Sequence, residues 1–179
     1  NPRLIMCSIS ALGQTGPLAE VPGYDFIAQA YSGISEITGE RGGAPVMPMA
    51  AIGDVSTGVH AFGAIACALL HRERTGEGQY IDVSLLDAYI HSHDFGIQSY
   101  SASGGKFIPT RNGSHHMGLA PCGIFHARDG YVVIVGALDH QWQGVTRAIG
   151  HPEFVEDPRF RTNRDRVHHK QELITAIED

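Results

Sequence analysis

The chain opens on a short apolar run, residues 3–10 (RLIMCSIS), whose strand-forming side chains predict a buried strand. Gly13, Gly16, Pro17 and Pro22 then break the pattern into a long loop. Residues 24–32 predict a short helix with Phe26, Ile27, Ala30 and Tyr31 on one side and Gly33 as its stop. A second loop, residues 39–48, carries three glycines and two prolines. The clearest periodicity is helical and runs from Val55 or Ser56 to about Thr75. Val59, Phe62, Ile65, Ala66, Leu69 and Leu70 recur there at spacings of three and four, and Gly76 follows the polar end HRERT as a stop. A helix this apolar nearly all round is expected to be buried. Residues 79–85 (QYIDVSL) predict a strand and residues 87–100 a helix. Strand, helix, helix, strand, helix in that order predicts an α/β layer.

Residues 101–105 (SASGG) read as a flexible joint, and the character of the chain changes beyond them. Residues 123–127 and 131–136 flank Arg128-Asp129-Gly130, a hairpin signal. Asp139 is placed to cap a helix carrying Trp142, Val145 and Ile149 and closed by Gly150. Pro152 and Pro158 punctuate a linker, and residues 164–179 predict a terminal helix. The expected boundary lies near residues 101–106, with an α/β piece over 1–100 and a smaller α+β piece over 101–179.

At 179 residues the chain has room for one domain or two small ones. A composition 42% hydrophobic and 18% charged excludes wholesale disorder. Thirteen Lys and Arg stand against nineteen Asp and Glu, a net charge of −6. Without a basic cluster, that balance argues against nucleic acid or an anionic membrane as partner. Cys7, Cys67 and Cys122 are far apart, with no CxxC, and signal neither a disulfide framework nor a thiolate zinc site. Cys67 reads as a small core residue. The longest apolar run, residues 61–70, is about half of the ~20 residues a membrane span needs. The first residues read as a strand rather than a signal peptide, so the expectation is a cytoplasmic protein. The chain begins at Asn1-Pro2 without Met and ends inside a helical pattern, which suggests an internal piece of a longer chain.

The sharpest local feature is Gly53-Asp54-Val55-Ser56-Thr57-Gly58, where a loop ends and the long helix begins. Asp54 there reads either as the helix N-cap or as a catalytic carboxylate in the field of the helix terminus. Ser56 and Thr57 compete for the cap, and Gly53 and Gly58 leave room for a bulky substrate to reach Asp54. Tyr24-Asp25, behind a Pro-Gly turn, reads as a binding edge or a cap. Eleven histidines raise the question of a metal. In His91-Ser92-His93-Asp94, however, the two imidazoles are two residues apart on an expected helix and point to different faces. His115-His116 and His168-His169 meet the same difficulty, and no metal is expected. Gly39-Glu40-Arg41-Gly42-Gly43 is not GxGxxG and does not sit in a strand-to-helix turn, so no nucleotide site is signalled.

Taken as a set, NPRLIMCSISALGQTGP, PGYDFIAQAYSG, GDVSTGVH, HRERTGEGQYIDVSLLDA and LAPCGIF resemble the family III CoA-transferases. This is the CaiB/BaiF-type group that includes formyl-CoA:oxalate and carnitine CoA-transferases. The resemblance implies part of a Rossmann-like large domain, then a linker, then part of a smaller α+β domain. It implies an interlocked homodimer, acyl-CoA and a small carboxylate as substrates, and no permanently bound cofactor, the CoA thioester being a substrate. Asp54 falls on the family's nucleophilic aspartate, implying an aspartyl-anhydride and aspartyl-CoA route. Pro22, Gly23, Tyr24 and Asp25 fall on a CoA-contacting segment, and Gly113 and His116 on a stretch near the active-site mouth. A lysine that some members carry at position 22 is replaced by Pro22, and Ser114 and Met117 replace the Asn and Pro often seen around the Gly/His stretch. The related 2-methylacyl-CoA racemases carry a histidine where this chain has Tyr24. Tyr is a poor base beside His, which favours the transferase over the racemase. A non-catalytic or metal-binding fragment is the remaining alternative.

Overall fold

The structure is a computed structural model that describes residues 1–179 apart from the side chain of Asp94. It is mixed α/β, with helices around two small sheets, and divides into compact units of residues 1–111 and 112–179.

In the first unit β1 (Met6–Ser10) pairs parallel to β2 (Tyr80–Ser84), with Met6 opposite Tyr80 and Ser10 opposite Ser84. Parallel pairing requires a long crossover. Here it is α1 (Asp25–Ser32), α2 (Ile34–Ile37) and α3 (Ile52–Thr75). The loop after β1 is tied back by the Gln14 N–H, which donates to the Asp82 carboxylate at 2.9 Å. After β2, the Ser84 hydroxyl caps α4 (Leu85–Ser92) by accepting from the Asp87 N–H at 3.0 Å. The single helix expected over 87–100 is in fact two, because the backbone leaves helical geometry at His93 before α5 (Asp94–Ala102).

α3 ends as the sequence predicts, on Gly76 in the left-handed conformation (φ 81°), whose N–H reaches the Arg72 carbonyl at 2.9 Å. Its burial is the opposite of the expectation. The buried positions are Gly53, Thr57, Ala61 and Ala68, while Val55, Val59 and Phe62 are 67%, 65% and 75% exposed within this chain. Small residues let the helix lie close against β1, β2, α1 and α4, and the large apolar side chains point away. By length and composition α3 would also cross a membrane, which the ten-residue run 61–70 conceals. Within the unit it packs against four elements, with 22% of its apolar stretch buried. α1 is turned the same way, with Asp25, Ala28 and Gln29 inside and Phe26, Ile27 and Tyr31 outside. β1 is likewise half-exposed at Met6 and Ile9 rather than buried. The core of this unit is Ala28, Leu85 and Tyr89, with Ile34 packed against it.

The segment after α5 stays with the first compact unit, which runs to Arg111. One contact stiffens the segment internally and a second ties it to α2. The Ser103 hydroxyl accepts from the Phe107 N–H at 2.9 Å, and the Arg111 guanidinium donates to both the backbone carbonyl and carboxylate of Glu36 at 2.7 Å.

The second unit carries the expected hairpin, β3 (Cys122–Ala127) antiparallel to β4 (Gly130–Val135), with Cys122 opposite Val135 and Ala127 opposite Gly130. α6 (Asp139–Ala148) starts one residue away from the expected cap. Leu138 holds the cap position with its N–H bound to the Gln141 side chain at 3.1 Å, and Asp139 lies inside the first turn. The expected terminal helix is broken at His169 into α7 (Asn163–His168) and α8 (Lys170–Glu178). Thr162 and Asp165 form a capping box at the start of α7. Ala120, Trp142, Phe160 and Leu173 make the core.

Through that core runs Arg166, fully buried. Its guanidinium donates to the carbonyls of Ala120 (2.6 Å), Phe160 (3.0 Å) and Ala137 (3.0 Å) and lies over the Trp142 ring. Burial holds its pKa below the usual arginine value. A planar fork with several fixed donors suits this role, and neither a point charge nor an apolar chain does. We predict that Arg166→Met lowers unfolding free energy by ~3 kcal/mol or more, since several buried carbonyls lose their donor at once. Chemical denaturation should show Arg166→Lys intermediate between the two, and equal stability of all three proteins would refute the assignment.

Candidate active site

The structure removes the capping reading of Asp54. α3 begins at Ile52, so Asp54 is the third helical residue and the cap position belongs to Ala51, which offers no side-chain bond. Thr57 does not cap either, because its hydroxyl donates back to the Gly53 carbonyl at 2.6 Å. Ser56 faces the His60 ring, whose Nδ1 lies 2.7 Å from the Ser56 carbonyl. Asp54 is exposed, and among the described residues its carboxylate has no hydrogen-bond partner. A free, exposed carboxylate in the first turn of a 24-residue helix is reachable, as a nucleophile requires.

The peptide just before Asp54 is held from below. The Gly53 N–H donates to Asp25 Oδ1 at 3.0 Å, and the Tyr89 hydroxyl donates to the same oxygen at 2.6 Å. Gln29 Nε2 reaches the other oxygen of Asp25 at 3.3 Å. Burial first, and then the Asp25 acceptor, push the Tyr89 hydroxyl up to about 12, so it remains a donor throughout the neutral range. Gly53 is required by closeness of approach. A Cβ there would overlap the Tyr89 ring and Asp25 Oδ1.

Of the residues that the sequence assigned to CoA, Pro22, Gly23 and Tyr24 line an open groove of about 420 Å³ with Ser10, Ala11 and the preceding loop. The groove opens at the carboxyl end of β1, the usual location for ligands of parallel sheets. Tyr24 stands 87% exposed beside it, while Asp25 is turned inward. The Asp25–Gly53 bond brings this segment and the Asp54 turn together. Tyr89 escaped the sequence reading, since in LLDAYI it looks like one more core aromatic.

Gly113 and His116 belong to the second unit. Gly113 is exposed with φ 61°, and His116 accepts from the Gly118 N–H at Nδ1 (3.0 Å), which leaves the proton on Nε2. The His116 and Met117 carbonyls accept from Lys170 at 2.7 and 3.2 Å. Among the other histidines noted in the sequence, several face aromatic or acidic neighbours, while the buried His93 ring lies against Gly96. His91 meets His60 edge-on at 4.9 Å, His115 meets Phe125 at 4.9 Å, and His169 pairs with Glu172 at 2.9 Å. Among the described residues no three His, Cys, Asp or Glu converge on a metal position; Asp94, of the HSHD string, lies outside them.

The family model of CoA-transferase family III matches residues 1–179. The chain belongs to that family. This member is 42% identical over 99% of its length to an acetyl-CoA:oxalate CoA-transferase of Acetobacter aceti, 46% of which it covers. It is 39% identical over 99% of its length to a succinate–glutarate CoA-transferase of Agrobacterium fabrum, covering 44% of that protein. Among solved structures it is similar to a CAIB/BAIF family protein from Brucella suis, with TM-score 0.80, 39% identity and coverage of 99% of this chain and 47% of that one. A hypothetical protein of Mycobacterium tuberculosis gives TM-score 0.84 at 28% identity, over 99% of this chain and 46% of that one. The chain thus spans less than half the length of the curated relatives it matches.

Gly53→Ala sets two effects of opposite sign against each other. Helix propensity alone would favour alanine by about 1 kcal/mol. The overlap with Tyr89 and Asp25 is expected to outweigh it, lowering the melting temperature of this family III member. A melting temperature that rises would show that the close approach is not required.

Proposed function

We propose that the whole protein transfers coenzyme A from an acyl-CoA donor to a small carboxylic acid, with Asp54 as nucleophile. The observation that carries this reading is Asp54 itself, exposed and unpaired among the described residues at a helix terminus braced from beneath. Asp54 attacks the thioester carbonyl; a C–O bond forms as the C–S bond breaks, CoA leaves as thiolate, and an acyl-aspartyl anhydride remains. The thiolate then attacks the Asp54 carbonyl carbon, expelling the donor acid and leaving an aspartyl-CoA thioester. The acceptor carboxylate attacks that thioester and expels the thiolate. Attack of the thiolate on the acceptor's acyl carbon in the second anhydride gives the new acyl-CoA and restores Asp54. Covalent catalysis divides one difficult exchange into several easier acyl transfers. Family membership supports the reaction, and the relatives named for succinate, glutarate and oxalate support short carboxylic acids as substrates.

In this reading Pro22, Gly23 and Tyr24 receive part of the CoA in the groove at the end of β1, with the exposed Tyr24 ring as a stacking surface. Asp25 supports the segment from within, and Gly113 and His116 serve the acyl side. The protein acts as an interlocked homodimer in the cytoplasm. The exposed Val55, Val59 and Phe62 on the outer side of α3 support a covered position for that face in the assembled protein.

The test is Asp54→Asn in the whole protein, assayed with acyl-CoA donors and short-chain dicarboxylates. Transfer should fall by about 10³-fold or more, in the range seen when a unit of covalent machinery is removed. Hydroxylamine should trap a modified Asp54 peptide from the unsubstituted protein incubated with acyl-CoA and none from the variant. Turnover retained by Asp54→Asn would overturn the assignment.

A further inference from the structure

The first turn of α3 is built without a local cap, although a helix end leaves its first amides unsatisfied and such ends fray. The substitute comes from far along the chain. Asp25, 28 residues earlier, takes the Gly53 N–H, and Thr57 takes the Gly53 carbonyl, so the residue preceding Asp54 is fixed at both of its polar groups. Asp25 in turn is fixed by Tyr89, which is 1% exposed and reaches it at 2.6 Å. The Asp54 carboxylate makes no hydrogen bond among the described residues, so Asp54 is held in place only through the backbone that carries it.

We propose that Tyr89 and Asp25 form a clamp that aims the Asp54 carboxylate, and that both are positioning residues for CoA transfer. The inference rests on reading Asp54 as the nucleophile. Neither residue exchanges a proton or bond with substrate; the clamp acts only through the Gly53 peptide. Reaction between bound partners depends steeply on geometry, and a displacement of about 1 Å costs on the order of 10²-fold in rate. Loosening the turn through Tyr89, which does not line the CoA groove, should therefore slow attack by Asp54 with little effect on the groove.

Tyr89→Phe in the whole protein removes the hydroxyl and keeps the ring packed against Gly53. With acyl-CoA and hydroxylamine, the rate of adduct formation on Asp54 is expected to fall about 10- to 100-fold. The final amount of adduct per subunit should match the unsubstituted protein, and KM for acyl-CoA should change by less than about threefold. Asp25→Asn, which keeps an oxygen for the Gly53 N–H, should retain more activity than Asp25→Ala. A purely structural role would instead lower the final amount of adduct at an unchanged rate per active subunit, and that result overturns the proposal. So does an unchanged rate in Tyr89→Phe. Should Tyr89→Phe not fold, the same rate-against-amplitude comparison on Asp25→Asn decides the question. Absence of any Asp54 adduct in the unsubstituted protein would fail the nucleophile reading itself, a result distinct from the other two.

Discussion

Asp25 is 6% exposed, and its carboxylate accepts from the Gly53 amide, the Tyr89 hydroxyl and the Gln29 side chain. A buried carboxylate is costly unless donors surround it, so the three elements that supply them are held to one arrangement. Those elements are α1, α3 and α4, and through Gln29, which also donates to the Pro48 carbonyl at 3.3 Å, the loop before α3 joins them. Gly53 follows as a consequence, because only a residue without a side chain lets its amide come this close to Asp25 and Tyr89. The apolar core of Ala28, Leu85 and Tyr89 closes around the same point. Packing and polar satisfaction therefore specify the same geometry, and Asp54 is presented at its edge.

The second unit uses the converse device. Arg166 is a buried cation answered by backbone carbonyls rather than by a carboxylate. Those carbonyls come from the segment before β3, the turn before α6 and the chain leading into α7. Trp142 and Phe160 pack around it. In both units a single charged side chain gathers backbone from parts of the chain that are far apart in sequence, and directional bonds do what so small a core cannot do through shape alone.

The candidate site was legible in the sequence only at its centre. GDVSTGVH at the end of a loop marked Asp54, and the resemblance to family III CoA-transferases gave it a chemistry. The local pattern left capping and catalysis open, because a carboxylate, a serine and a threonine all stand at the expected helix start. The structure removes capping by starting the helix at Ile52 and turning Thr57 back onto the Gly53 carbonyl. Asp25 reads as a binding edge or a cap from its position and as part of a CoA-contacting segment from the resemblance; the fold turns it inward while Tyr24 faces out. Tyr89 carried no signal, since its partner lies 64 residues away.

What the sequence by itself determined was set by nearby residues. Gly33 and Gly76 stop their helices, Arg128-Asp129-Gly130 joins the hairpin, and the motif strings place the chain in its family. These depend on backbone conformations and capping chemistry that a few neighbouring side chains dictate. Only the tertiary structure decided which face of each helix is inside. Periodicity placed Phe26, Ile27, Val59 and Phe62 in a core, yet the small faces of α1 and α3 are buried and these residues are exposed within this chain. Periodicity reports that a helix has an apolar side. Which side packs against a given neighbour depends on how close the backbones must approach and on where distant polar partners such as Asp25 and Tyr89 meet. Both are set by the folded arrangement as a whole.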